Sequence, residues 1–341
     1  MNGYPIQQTK VHRPPLREET LTRDRLLDWL HVKIHHRVVF VVAEAGYGKT
    51  TLLADFSRRT RLRTIWYRLD DEDRHWVAFL NYLVAAGRQH DPTFAESTAR
   101  LLRELETASH SRETVTSAFI RDVRTLGDHG AAVILDDYHL VDDAPDVAYI
   151  VGELLAHSPE RVTFVFSSRR EPPVRVARLR ALGELAELST NDLRFNEPET
   201  ERLFRETYGH ALEPDVLDDL SRRTEGWAAS LQLVQAAIRD RSAAEVRRFV
   251  RTLSGAEGDL YDYLAEEVVG DLTAELQDFL MKTSLLQNVD ADLARLLTQS
   301  TGAAARARMT DAERLGLLHR SRERSANSQR FHPLVQQFLE D

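Results

Sequence analysis

Eight consecutive residues, Ala43-Glu44-Ala45-Gly46-Tyr47-Gly48-Lys49-Thr50, carry the clearest chemistry in this 341-residue chain. Glycine at 46 and 48 lets a loop close tightly enough for its backbone N–H groups to surround phosphate oxygens. Lys49 is spaced to reach the β and γ phosphates of a nucleoside triphosphate, and the Thr50 hydroxyl to ligate Mg²⁺. The amides of Ala45, Gly46, Tyr47, Gly48, Lys49, Thr50 and Thr51 are the expected phosphate donors, helped by the positive end of a following helix. The usual pattern begins with glycine, and here that place is Ala43. A second constellation, Val133-Ile134-Leu135-Asp136-Asp137, ends an apolar stretch in two carboxylates, 87 positions after Lys49. Asp136 is expected to hold Mg²⁺ through water and Asp137 to polarise an attacking water. A third, Ser167-Ser168-Arg169, ends the next apolar stretch, where a guanidinium can sense a γ phosphate. A solvated arginine at a strand end fits that third pattern almost as well.

These groups need a rigid frame. Val38–Val42 reads as a buried parallel strand running into the glycine loop, and Leu52, Leu53 and Phe56 share one face of the helix after it. Further strands are expected at 63–70, 131–137, 162–169 and 185–188. Helical patterns lie between them, including Trp76, Phe79, Leu80 and Leu83. Strands alternating with helices predict an α/β fold, a parallel sheet with helices on both faces. Beyond about residue 196 the strand pattern stops. Trp227, Leu231, Val234 and Ile238, and later Phe331, Leu334, Val335, Phe338 and Leu339, recur at helical spacing. Gly270 offers a break and a fresh start. The expected organisation is 1–196 for the nucleotide-binding domain, 197–270 for a helical domain and 271–341 for a third.

Composition narrows the possibilities. Forty-five basic against fifty-four acidic residues leave a net charge of −9, and lysine occurs only at Lys10, Lys33, Lys49 and Lys282. This balance does not favour DNA binding by these residues. There is no cysteine, hence no disulfide and no thiolate zinc site. No stretch approaches the roughly 18 apolar residues of a membrane span, and the first residues lack the apolar region of a secretory signal, so a cytoplasmic location is expected. His31 and His35 are four apart, but a zinc pair there requires a helix to persist into the approach to the first strand. His332, followed by Pro333, reads first as a residue at a helix start.

Taken together, AEAGYGKTTLL, VILDDYHLV, FVFSSRREPP, TEGWAASLQL and RFHPLVQQFL, in this order and spacing, resemble the STAND class of P-loop ATPases. More narrowly, they resemble the large ATP-binding LuxR-type transcriptional regulators of the maltose-regulon-activator type, from about Thr9 to Asp341. The resemblance implies a helical domain and then a winged-helix domain after the α/β domain. It implies an ADP-bound closed monomer, an ATP-bound open form that self-associates, and slow hydrolysis that resets the switch. Carried over by position, Arg13, Pro14 and Arg23 lie near adenine and ribose, Arg169 is the γ-phosphate sensor, and His332 reaches the β phosphate of ADP. Many relatives in the wider class have Gly-x-Pro at an adenine-covering turn, whereas this chain has Gly226-Trp227-Ala228. Complete members add a superhelical sensor, which receives an inducer or regulatory protein, and a DNA-binding effector. Neither is expected within these residues. The alternative is an AAA+-type ring motor with rapid turnover, which needs an arginine finger that the sequence does not single out. A scaffold with a vestigial pocket is disfavoured by the intact Lys49, Asp136 and Asp137.

Overall fold

The computed structural model describes residues 5–105, 110–126, 130–239, 241–253, 261–262, 265, 269–270, 272–286, 288–314, 317–320 and 329–340. The chain forms two compact units. The first is Met1–Glu18, Thr22–Val42 and Lys49–Ser189, and the second is Glu19–Leu21, Ala43–Gly48 and Thr190–Asp341.

The first unit is built on a five-stranded sheet: β1 (Val38–Val42), β2 (Arg63–Arg68), β3 (Ala131–Asp136), β4 (Val162–Ser168) and β5 (Leu185–Leu188). The order is β2-β3-β4-β1-β5, and every pairing is parallel. Residues of β3 and β4 are buried throughout, as a sheet covered on both faces requires. The main core joins Phe40, Tyr67, Phe79, Phe119, Val133, Ile150, Phe164 and Phe166. The order places β4 between β1 and β3. Ser167 is level with Val41 of β1, and Leu135, one residue before Asp136, is level with Phe166. The polar strand ends therefore line up at one edge of the sheet, the usual place for ligands of open parallel sheets.

The strand positions agree closely with the sequence pattern. The helix Asp24–Lys33 stops before His35, so His31 and His35 are not one turn apart on a helix. The N-terminal segment is tied down by Lys10, which is buried, lies 4.3 Å from the Tyr82 ring centre and pairs with Asp73 at 2.6 Å and Asp70 at 2.9 Å.

The second unit is mostly helical, with helices at Pro214–Thr224, Ala228–Ile238, Ala243–Thr252, Ala274–Thr283, Ala291–Thr298, Gly302–Arg314 and Pro333–Glu340. Thr273 caps the fourth of these by accepting from the Leu276 N–H; Asp271, the expected start of the third domain, lies outside the described residues. A two-stranded antiparallel ribbon, β6 (Leu318–Arg320) with β7 (Gln329–Phe331), precedes the last helix. Phe331 therefore belongs to β7 and not to the terminal helical face, because Pro333 opens the helix with a φ already suited to its first turn. Among the described residues no helix is long and apolar enough to cross a membrane.

Candidate nucleotide site

In the first unit, the helix Lys49–Arg59 brings Thr50 against the end of β3. The Thr50 hydroxyl lies 3.1 Å and 3.0 Å from the two carboxylate oxygens of Asp136. Asp136 is fully buried. Burial and the charge of Asp137 push its pKa up to about 6, against the hydroxyls of Ser167 and Thr50 and the Lys49 charge. A buried carboxylate touching a hydroxyl suits a divalent cation, and the lysine beside it suits the phosphates that would accompany one. Hard oxygen donors, few in number, match Mg²⁺, which takes one or two protein ligands together with substrate phosphates. Asp137 follows in the left-handed conformation, φ 59°, with its carboxylate 3.3 Å from the Arg68 guanidinium. That turn separates two consecutive carboxylates into two directions, one buried and one half-buried.

The adjacent arginines at the end of β4 differ. Arg170 makes a two-pronged pair with the buried Asp142, at 2.8 Å and 2.6 Å. Arg169 is half-buried, and its charge acts on His139 together with those of Lys49 and Arg170. Burial and these three cations lower the His139 pKa to about 3, so this imidazole is neutral. His139 has no role of its own in the sequence pattern, although it follows the Asp136-Asp137 pair closely.

In the second unit, the first part of the glycine loop packs on the segment Thr224–Ala229. The Ala45 carbonyl accepts from the Trp227 indole at 3.1 Å, and the Gly46 carbonyl from the Ala229 N–H at 3.0 Å. Thr190 donates to Glu44 at 3.1 Å. Gly46 and Gly48 have φ of 76° and 78°, and a Cβ built on Gly48 meets nothing within 4 Å. Tyr47 is buried, with its ring centre 6.4 Å from that of Trp227. Gly226 is obligatory: its φ is 71°, and a Cβ there would lie 2.1 Å from the Phe195 carbonyl oxygen. This close approach, sealed by the Phe195 N–H to the Gly226 carbonyl at 2.8 Å, sets Arg194 against Glu225. Glu225 also pairs with Arg330 at 2.7 Å.

His332 is buried at the start of the last helix. Its Nε2 lies 3.1 Å from the Thr224 carbonyl, its Nδ1 accepts from the Leu334 N–H at 3.3 Å, and its ring meets Trp227 edge-on at 5.7 Å. These contacts correspond to a neutral ring, and burial lowers its pKa to about 4.

Of the residues expected at the site, Lys49, Thr50, Asp136 and Asp137 come together in the first unit. Ala45, Gly46, Tyr47 and His332 share the Trp227 neighbourhood in the second. Thr51 is exposed on the helix after the loop, Arg13 is exposed, Pro14 is half-buried, and Arg23 is buried just before the helix Asp24–Lys33. Arg194, Glu225 and Arg330, which meet behind the loop, are not marked as site residues by the sequence pattern.

Residues 265–341 match the MalT winged helix domain. The HTH-type transcriptional regulator MalT of Vibrio campbellii is 32% identical over 335 residues, 97% of this chain and 36% of that protein. The serine/threonine-protein kinase PknK of Mycobacterium tuberculosis is 32% identical over 339 residues, 98% of this chain and 30% of that protein. The chain thus spans about a third of the length of these curated relatives. Among solved structures, the Walker-type ATPase PABY2304 of Pyrococcus abyssi shares the fold, with a TM-score of 0.64, 12% identity, and coverage of 97% of this chain and 99% of that one. The resemblance drawn from the motifs therefore holds: the chain has the fold of a P-loop ATPase, carries a MalT winged helix domain, and is similar to MalT regulators along nearly its whole length.

Proposed function

We propose that these residues form an ATP/ADP-binding switch of the STAND type, the nucleotide-sensing core of a cytoplasmic transcriptional regulator. The observation that carries this reading is the Thr50–Asp136 contact beside Lys49, a buried carboxylate and hydroxyl that fit Mg²⁺ next to a phosphate loop. In this proposal the amides of Ala45 to Thr51 and Lys49 hold the phosphates. Thr50 and Asp136 hold Mg²⁺, which supplies charge neutralisation at the β and γ phosphates. Asp137, oriented by Arg68, polarises the attacking water. Arg169 senses the γ phosphate, Arg13, Pro14 and Arg23 serve adenine and ribose, and His332 answers to the β phosphate of ADP. The domains are 1–196, 197–270 and 271–341. ADP marks the resting form, ATP the open, self-associating form, and slow hydrolysis returns one to the other. That the same segment recurs in relatives named as a transcriptional regulator and as a kinase fits a module whose output is supplied elsewhere. Contact with DNA and with an inducer or regulatory protein is assigned to regions outside these residues.

The test is to identify the nucleotide that co-purifies with the chain and to titrate ATP and ADP calorimetrically into wild type and Lys49→Ala. The expected results are retained ADP and loss of both affinities in the variant. Unchanged affinity in Lys49→Ala defeats the site. Empty protein whose hydrolysis is fast and rises with protein concentration defeats the switch in favour of a ring motor.

A further inference from the structure

The turn Thr224–Ala229 holds the phosphate loop by its carbonyls. The Trp227 indole N–H takes the Ala45 carbonyl and the Ala229 N–H takes the Gly46 carbonyl. The peptide bonds of the described residues are all trans. In a trans peptide unit the C=O and N–H point in opposite directions across one rigid plane. Fixing the Ala45 carbonyl therefore aims the Gly46 N–H the opposite way, and fixing the Gly46 carbonyl does the same for the Tyr47 N–H. These are two of the amides that such a loop presents to phosphate oxygens. The indole is itself well fixed: Trp227 is 3% exposed, with Tyr47 and His332 against its ring.

We propose that Trp227 is a positioning residue for phosphate binding. It pre-aims the loop amides through the Ala45 carbonyl, and it supports affinity for the phosphate chain and not for the nucleoside. This rests on the nucleotide reading of the loop given above. It also gives Gly226-Trp227-Ala228 a task on the phosphate side, distinct from the adenine cover that the resemblance associates with Gly-x-Pro.

The experiment titrates the wild-type chain and Trp227→Phe with ADP, inorganic pyrophosphate and adenosine, and records the thermal midpoint of each protein without ligand. Phenylalanine keeps an aromatic face toward Tyr47 and His332 but removes the N–H donor together with part of the buried ring, so the benzothiophene analogue of tryptophan at 227, which removes the N–H alone, is titrated beside it. Loss of one hydrogen bond that orders a loop predicts a fall of about five- to tenfold in affinity for ADP and for pyrophosphate. Adenosine should bind all three proteins alike. Unchanged ADP and pyrophosphate affinity overturns the proposal, and so does an equal loss for adenosine, which marks a base-side or general structural role. Wild-type protein that binds neither ADP nor pyrophosphate refutes the nucleotide reading itself, a result separate from any effect of the variant. If Trp227→Phe does not fold, the benzothiophene analogue alone carries the same expected and overturning outcomes.

Discussion

Replacing Glu225 by glutamine tests the charge network behind the phosphate loop. Glu225 sits just past the helix Pro214–Thr224 with φ 46°, its side chain 13% exposed between Arg194 and Arg330. Burial by itself raises its pKa. The Arg330 hydrogen bond, the charge His332 gains once it is protonated at low pH, and the Arg194 pair outweigh burial and hold the carboxyl at about 2, against an ordinary 4.5. A drop of that size corresponds to roughly 3 kcal/mol in favour of the ionised form. Glutamine keeps the length, the polarity and the left-handed backbone, and removes only the charge. Because Arg330 is 41% exposed, water recovers part of the loss. Since His332 is neutral at pH 7 and adds nothing there, the expected destabilisation at pH 7 is about 1–2 kcal/mol, or about 3–8 °C in thermal midpoint for a unit of this size. A carboxyl with a depressed folded pKa contributes stability that is complete above its unfolded value and is lost as pH falls through the folded one. The gap between wild type and Glu225→Gln should thus be full at pH 7 and shrink progressively below pH 4.5 toward 2. Urea unfolding followed by tryptophan fluorescence at pH 7, 5 and 3.5 reads it. Coincident curves at pH 7, or a gap as large at pH 3.5 as at pH 7, refute the ion-pair argument.

Two further predictions concern the chemistry. Asp136→Ala or Asp137→Ala should retain nucleotide binding and slow phosphate release, by about 100-fold or more for Asp137 if it assists the attacking water; normal turnover removes the residue from the mechanism. His332→Ala should loosen ADP and promote self-association, read by retained nucleotide and sedimentation. A buried histidine with a depressed folded pKa contributes stability that is full above about 6.5 and is lost as pH falls toward 4. His332→Ala should therefore flatten the pH dependence of stability in that window, and an unchanged profile with unchanged ADP retention refutes both roles.

The centre of the sheet was legible because β1, β3 and β4 are short apolar runs, each followed or ended by chemistry-bearing residues. Val38–Val42 meets the glycine loop, Ala131–Asp136 ends in a carboxylate, and Val162–Ser168 ends in hydroxyls. Local pattern is enough for such elements, since burial on both faces is written into the run itself. The second layer of the site was not legible. Arg194, Glu225 and Arg330 are unremarkable charges in sequence, and charged residues are ordinarily solvated. They meet because Gly226 adopts a positive φ and its carbonyl accepts from the Phe195 N–H. Asp73 is a similar case: one of four consecutive acidic residues, it is fully buried against Lys10, sixty-three positions away. In each case the missing information is a long-range partner, which periodicity does not encode.

The glycine loop shows why motif and site are different things. Gly46 and Gly48 make a phosphate-binding shape reachable, but glycine also makes many other shapes reachable and loses more chain entropy than other residues when one is selected. A loop that binds well must have that loss met before the ligand arrives. Here two donors from the distant segment Trp227–Ala229 fix consecutive carbonyls, Thr190 takes the Glu44 carboxylate, and Tyr47 is buried against Trp227. His332 in turn packs on the same indole. On the reading proposed above, an event that displaces His332 would therefore reach the loop carbonyls through Trp227 without touching a phosphate.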